Sequence, residues 1–201
     1  MEKGKLIVIS GPSGVGKGTI KTRLLSELEN ITESISCTTR KPRIGEVHGV
    51  HYFFKTEEEF ENMLKKDMFF ENAGVFGKRY GTPKEFVENK RNCGVNVLLE
   101  IDVQGALQVK DRAPDALLIM LLPEKLDVLK ERLKGRGTET EEQINGRFAK
   151  AVAEIMEYKA FDYAVVNKSG ELDNTVLEIE RIIRGEIKDQ KIEKIVKSVI
   201  G

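Results

Sequence analysis

Residues 11–19 read Gly-Pro-Ser-Gly-Val-Gly-Lys-Gly-Thr, and no other stretch restricts the folds open to this chain so tightly. Upstream, Leu6-Ile7-Val8-Ile9 is an apolar run of the length of a buried strand; downstream, Ile20, Leu24, Leu25 and Leu28 recur at helical spacing. The glycines therefore fall where a strand turns into a helix. In that setting a loop wraps phosphate oxygens with backbone N–H groups, and the helix N-terminus adds a dipole that favours anions. Gly11, Pro12, Ser13, Gly14, Val15, Gly16, Lys17, Gly18 and Thr19 are accordingly expected to bind a nucleoside triphosphate, with Lys17 as a mobile charge for its terminal phosphates. One position departs from the common pattern: Gly18 follows Lys17 where a Ser or Thr hydroxyl usually meets Mg²⁺. No direct protein ligand is expected. Mg²⁺, which keeps much of its hydration shell, is expected to be held by phosphates and water near Thr19.

A chain of 201 residues accommodates one α/β domain with small insertions. Apolar runs at 95–101, 116–122 and 163–166 read as further buried strands. Helical patterns lie over 105–112, 124–133, 141–159 and 172–183. This alternation predicts an α/β fold, a phosphate-loop parallel sheet flanked by helices. Residues 34–82 break the rhythm, being rich in Thr, Arg, Gly and aromatics around an acidic-start helix at Glu57–Lys66, and are expected to form an inserted binding subdomain. Residues 134–140 are glycine-rich and charged between two helices, as a mobile cover is. The tail from Glu186 places Ile192, Ile195, Val196 and Val199 on one helical face, which packs on the core or on a second copy of the chain, so a homo-oligomer stays open.

The 33 basic and 33 acidic residues cancel, so no global field draws the protein to nucleic acid or a membrane surface. Cys37 and Cys93 lack metal-ligand spacing and read as free thiols of a reducing compartment. With no signal-peptide pattern and no run of transmembrane length, the reading is cytoplasmic. Val166-Asn167-Lys168 matches part of the GTPase guanine signature Asn-Lys-x-Asp, but position 170 is Gly, which argues against a regulatory GTPase.

A second block runs from Ser36 to Phe54. Arg40 and Arg43 flank a stiffening Pro42 and can converge on one dianion, because the planar guanidinium binds phosphate oxygens bidentately. Tyr52 and Tyr80 can complete such a site; a solvated basic loop with aromatic packing explains the block equally well. Together with the phosphate loop, Gly81 after Tyr80, the run Glu100-Ile101-Asp102-Val103-Gln104-Gly105, and Gly135-Arg136-Gly137-Thr138-Glu139-Thr140 with Arg147, this block resembles the guanylate kinase family in order and over most of the chain.

The resemblance implies transfer of the γ-phosphoryl group of ATP to GMP, and by extension dGMP, giving ADP and GDP with Mg²⁺ in purine nucleotide metabolism. It implies that Arg40, Arg43, Tyr52 and Tyr80 grip the GMP phosphate, and that guanine recognition falls on Ser36, Glu71, Thr82 and Asp102. A carboxylate such as Glu71 accepts from guanine N1–H and the exocyclic amine, and adenine would leave it desolvated and unpaired. Asp102, at a strand end, can orient Mg²⁺ through water or touch the base; Glu100, where many relatives carry Asp, stays open between a metal role and an ion pair. Lys17, Arg136 and Arg147 are the expected catalytic charges, since phosphoryl transfer rests on alignment and electrostatic stabilisation. Arg132 stays open between the lid and a solvated helix face. Asn167 is assigned to the adenine of ATP. The implied organisation is a phosphate-loop core at 1–33, 83–131 and 148–201, a GMP-binding subdomain at 34–82 and a lid at 132–147. ATP and GMP are then the small-molecule partners implied.

Overall fold

The structure, a computed structural model, describes residues 2–75, 77–134 and 140–201. In chain order its elements are β1 (Leu6–Ser10), α1 (Lys17–Glu27), β2 (Ile31–Glu33), β3 (Cys37–Thr38), β4 (Phe53–Phe54), α2 (Glu57–Lys65), β5 (Phe69–Val75), β6 (Lys78–Pro83) and α3 (Lys84–Asn92). The second half contributes β7 (Asn96–Glu100), α4 (Val103–Arg112), β8 (Leu117–Pro123), α5 (Leu126–Lys134), α6 (Glu141–Met156), a 3₁₀ turn (Glu157–Ala160), β9 (Tyr163–Asn167), α7 (Leu172–Ile183) and α8 (Ile192–Ile200). Two compact units result, one of Met1–Leu6, Asn30–Leu99 and Gln104–Ala116, the other of Ile7–Glu29, Glu100–Val103 and Leu117–Gly201.

The second unit carries the phosphate loop. Its strands run parallel in the order β1, β8, β9, with Val8 opposite Leu118 and Met120 opposite Ala164. Leu118 to Leu122 are all wholly buried, the unbroken apolar run that a parallel strand covered on both faces requires. Helix α6 starts at a capping box in which the Thr140 hydroxyl accepts from Gln143 N–H and the Gln143 side chain accepts from Thr140 N–H. Leu129, Leu133 and Ala151 then lock α5 to α6, with Phe148 against them. The helix expected to run through Lys159 stops at Met156 and tightens into the 3₁₀ turn.

The C-terminal tail belongs to this unit. Val196 and Val199 are buried where α8 meets β8, β9 and the 3₁₀ turn. Strand β9 is held from the side by its backbone and a side chain, since Ala164 N–H donates to Gln190 Oε1 at 2.8 Å and the Tyr163 hydroxyl donates to the Ile187 carbonyl at 2.8 Å.

The first unit pairs β2 with β7 in parallel and adds a four-stranded sheet in the order β4-β3-β6-β5. Phe60 of α2 stacks on Phe69 with ring centroids 4.6 Å apart, and Cys37 joins them in the core. Burial pushes the Cys37 thiol up to about 11, so it stays protonated and packs as an apolar group. Helix α3 has no counterpart in the sequence reading, because its two buried residues are Val87 and an arginine. Arg91 donates to the Gly4 carbonyl at 2.9 Å and to Glu88 at 2.8 Å, and pairs with Asp115. Among the described residues no helix is long and apolar enough to cross a membrane.

Candidate functional site

The phosphate loop is built where the sequence places it, in the turn from β1 into α1. Two of its glycines are structural requirements. Gly11 has φ +139°, and a Cβ there would stand 2.3 Å from the Leu121 carbonyl oxygen; Gly16, with φ +101°, caps α1 in the left-handed region, and a Cβ would meet Asn167 Nδ2 at 2.6 Å. The first N–H groups of α1 therefore face the loop at the positive end of the helix, the geometry of an anion cradle.

An open cavity of about 520 Å³ lies over this loop, lined by Ser13, Lys17, Thr19, Glu100, Asp102, Lys150 and Glu154 among others. Lys17 folds back across its own loop, donating to the Gly11 carbonyl at 2.6 Å and to that of Pro12 at 3.3 Å. Burial lowers its pKa, and the charges of Glu100, Glu154 and Asp102 partly offset that. Glu100 is already matched by Lys21 at 3.0 Å, whereas Asp102 and Thr19 bring hard oxygen donors to the same cavity. An ion such as Mg²⁺, which keeps several of its waters and so needs few protein ligands, suits that donor set.

Arg147 on α6 donates to the Ser13 hydroxyl at 2.9 Å, which brings it to the loop. Arg132 instead donates to the Ser169 hydroxyl at 2.9 Å. Asn167 is buried at the end of β9; its amide nitrogen donates to the Val15 carbonyl at 2.8 Å and its oxygen accepts from the Thr175 hydroxyl at 3.3 Å. Its polar groups therefore brace the loop from behind. Arg136 lies outside the described residues.

The remaining residues tied to an acceptor gather in the other unit, apart from Asp102. The β5–β6 ladder sets Glu71 opposite Thr82 and Ala73 opposite Tyr80, and β3 sets Thr38 opposite Tyr80, so Glu71, Thr82 and Tyr80 share one face of the sheet. A register irregularity between Phe69 and Glu71 aims this carboxylate. Glu71 is 5% exposed and accepts from the Thr82 hydroxyl at 2.7 Å. Nothing local marks it, for in sequence it is one Glu after two Phe.

Arg40 sits 5.4 Å above the Tyr52 ring, and the Tyr52 and Tyr80 rings meet edge-on at 6.0 Å. Hydrogen bonds to Glu46, and secondarily to Tyr80, raise the Arg40 pKa. Arg43 is exposed on the same loop, and Ser36 accepts from Phe53 N–H through its carbonyl at 2.9 Å. Thr32, Ser34, Glu46, His51 and Tyr52 border a cavity of about 380 Å³ here.

Sequence reasoning missed Glu46, Lys150 and Glu154. Glu46 takes Arg40 in a bidentate pair at 2.8 and 2.9 Å and also accepts the Arg43 N–H at 2.7 Å. Its position in the Gly45-Glu46 turn after the arginines was the available signal. Lys150 and Glu154 follow Arg147 at helical spacing on α6, which could have drawn them to the same cavity.

Comparison with known proteins bears on both units at once. The family model described as guanylate kinase matches residues 3–186. A guanylate kinase of Clostridium perfringens is 50% identical over 184 residues, covering 92% of this chain and 84% of that protein. That of Caldanaerobacter subterraneus subsp. tengcongensis is 48% identical over 185 residues, 92% of this chain and 89% of its own. The crystal structure of guanylate kinase from Anaplasma phagocytophilum superposes with a TM-score of 0.68 at 32% identity, covering 94% of this chain and 89% of that one. With a cradle for phosphates, a guanidinium–tyrosine cluster and a match over nearly its whole length, the chain belongs to the guanylate kinase family.

Proposed function

We propose that this chain transfers the γ-phosphoryl group of ATP to GMP, releasing ADP and GDP, and by extension to dGMP. The observation that carries the reading is the Glu71–Thr82 pair, a buried carboxylate on the same sheet face as Tyr80, in a member of a family whose reaction is this transfer. Glu71 accepts the guanine N1–H and exocyclic amine, with Thr82, Ser36 and Asp102 completing base recognition. Arg40, Arg43, Tyr52 and Tyr80 hold the acceptor phosphate; Arg40 leaves Glu46 for that dianion, exchanging one bidentate oxyanion for another. In the chain's organisation, residues 34–82 serve the acceptor, 132–147 close as a lid and the remainder forms the phosphate-loop core.

An oxygen of the GMP phosphate attacks the γ-phosphorus while the bond to the β–γ bridging oxygen breaks, and ADP leaves with that electron pair. The nucleophile is already anionic, so no general base is required. Lys17, Arg147 and Arg136 stabilise charge on the transferring and bridging oxygens, and closure excludes water as a competing acceptor. Thr19 and Asp102 are the residues that would hold the waters of a Mg²⁺ ion entering with ATP, and that ion would supply neutralisation of phosphate charge. Asn167 serves ATP binding through the shape of the loop it braces.

The test is ADP release from ATP and Mg²⁺ with GMP, AMP, CMP and UMP offered separately. Turnover with GMP far above the other three supports the assignment. Comparable turnover with AMP removes the role given to Glu71, and no turnover with any acceptor removes the reaction.

A further inference from the structure

Helix α6 presents more charge to the phosphate loop than Arg147 alone. Arg147, Lys150 and Glu154 recur at three- and four-residue spacing along one face of this helix. The first reaches Ser13 of the loop, and the other two line the cavity with Lys17. Lys150 Nζ lies 3.6 Å from Glu154 Oε1; the Lys150 side chain is 68% exposed and that of Glu154 only 10%. Glu154 is therefore the anchored partner and Lys150 the mobile one.

At that separation, with one partner in water, the pair is loose and contributes little to the fold. A lysine on a four-carbon stem can leave such a partner for a stronger anion without disturbing its helix. The surroundings favour the exchange. Burial chiefly, and the Lys150 charge in smaller part, hold the Lys17 pKa down, so the two ammonium groups repel across the cavity. A polyphosphate lying between them relieves that repulsion.

We propose that Lys150 is a further triphosphate-binding residue, and that Glu154 is the counter-ion it exchanges for the polyphosphate. The inference rests on the reading that this cavity receives the phosphates of ATP. It adds a second α6 cation to the clamp, and predicts that part of the chain's grip on ATP is lost with one exposed side chain far from the acceptor residues in sequence.

The experiment is calorimetric titration of ATP and, separately, of sodium tripolyphosphate into the wild-type protein and the Lys150→Ala, Lys150→Arg and Glu154→Gln variants, with melting temperatures measured alongside. Lys150→Ala is expected to raise Kd for both titrants about three- to tenfold, the range for a charge-assisted contact discounted for exposure. Lys150→Arg restores most of the loss, and Glu154→Gln, which removes the competing anion, leaves binding equal or tighter. Wild-type binding that Lys150→Ala leaves within about 1.5-fold overturns the role of Lys150 while the phosphate cavity stands. Weaker binding in a Glu154→Gln variant that melts as the wild type does overturns the counter-ion role. Failure of the wild-type protein to bind either titrant overturns the cavity reading itself.

Discussion

Glu71→Gln separates guanine recognition from both folding and chemistry. Glu71 is 5% exposed, and the Thr82 hydroxyl donates to its Oε1 at 2.7 Å. A carboxylate has about four lone-pair sites, so this bond leaves capacity for the two donors on the guanine edge. Glutamine keeps the shape and one acceptor oxygen, which can still serve Thr82, but it replaces the other oxygen with an NH₂ that faces a donor. One charge-assisted hydrogen bond, worth about 1.5–3 kcal/mol, is lost, and an opposed donor pair adds desolvation of similar sign. A combined loss of about 3 kcal/mol corresponds to roughly a hundredfold fall in kcat/KM for GMP. A coupled ADP assay with GMP and AMP as acceptors, at saturating ATP, reads the effect. The KM for ATP should not move, the low rate with AMP should hold or rise, and the melting temperature should stay within a few degrees. A folded Glu71→Gln protein whose kcat/KM for GMP lies within about threefold of wild type would refute the reasoning, since no charge-assisted bond to the base can be that weak.

Three further outcomes are expected. Lys17→Ala should lower kcat by about 10²–10³, the scale for removing one preorganised charge from a transition state, with GMP binding by calorimetry retained; loss of GMP binding instead would refute the assignment of Lys17 to ATP. Hydrogen bonds from the Arg40 guanidinium, then the Arg43 N–H, hold the Glu46 carboxyl at about 2, below its ordinary 4.5. The ion pair's contribution is therefore complete above pH 4.5 and disappears as pH falls toward 2; a carbon-detected NMR titration of Glu46 with a midpoint above 4 contradicts the pairing. Arg91→Ala should destabilise the protein by about 3 kcal/mol, because the buried guanidinium serves Gly4, Glu88 and Asp115, and the melting temperature should drop by roughly 6–12 °C. An unchanged melting curve would mean that water replaces all three contacts.

What was legible in the sequence was local. The strand, glycine loop and helix around residues 6–28 read directly, because a left-handed glycine, an apolar run and a helical stripe are each properties of a few neighbouring residues. The same holds for β8 and for the amphipathic α7, whose buried residues recur at helical spacing. Helix α3 escaped because one of its two inward residues is Arg91, which no hydrophobic pattern counts. The short β3 and β4, two residues each, offered too little periodicity to mark.

The site divides along the same line. The phosphate loop is a run of adjacent residues whose spacing by itself pointed to a polyphosphate, whereas the arginine block left a dianion site and a solvated loop equally open until the family resemblance was added. Only the tertiary structure decided the partners: that Arg40 is matched by Glu46, that Glu71 meets Thr82 across two strands, that Asn167 backs the loop, and that Lys150 and Glu154 face Lys17. An isolated acid or amide has no distinguishing pattern. Its chemistry is set by desolvation and by which groups the fold brings within a few ångströms, and those groups are remote in sequence.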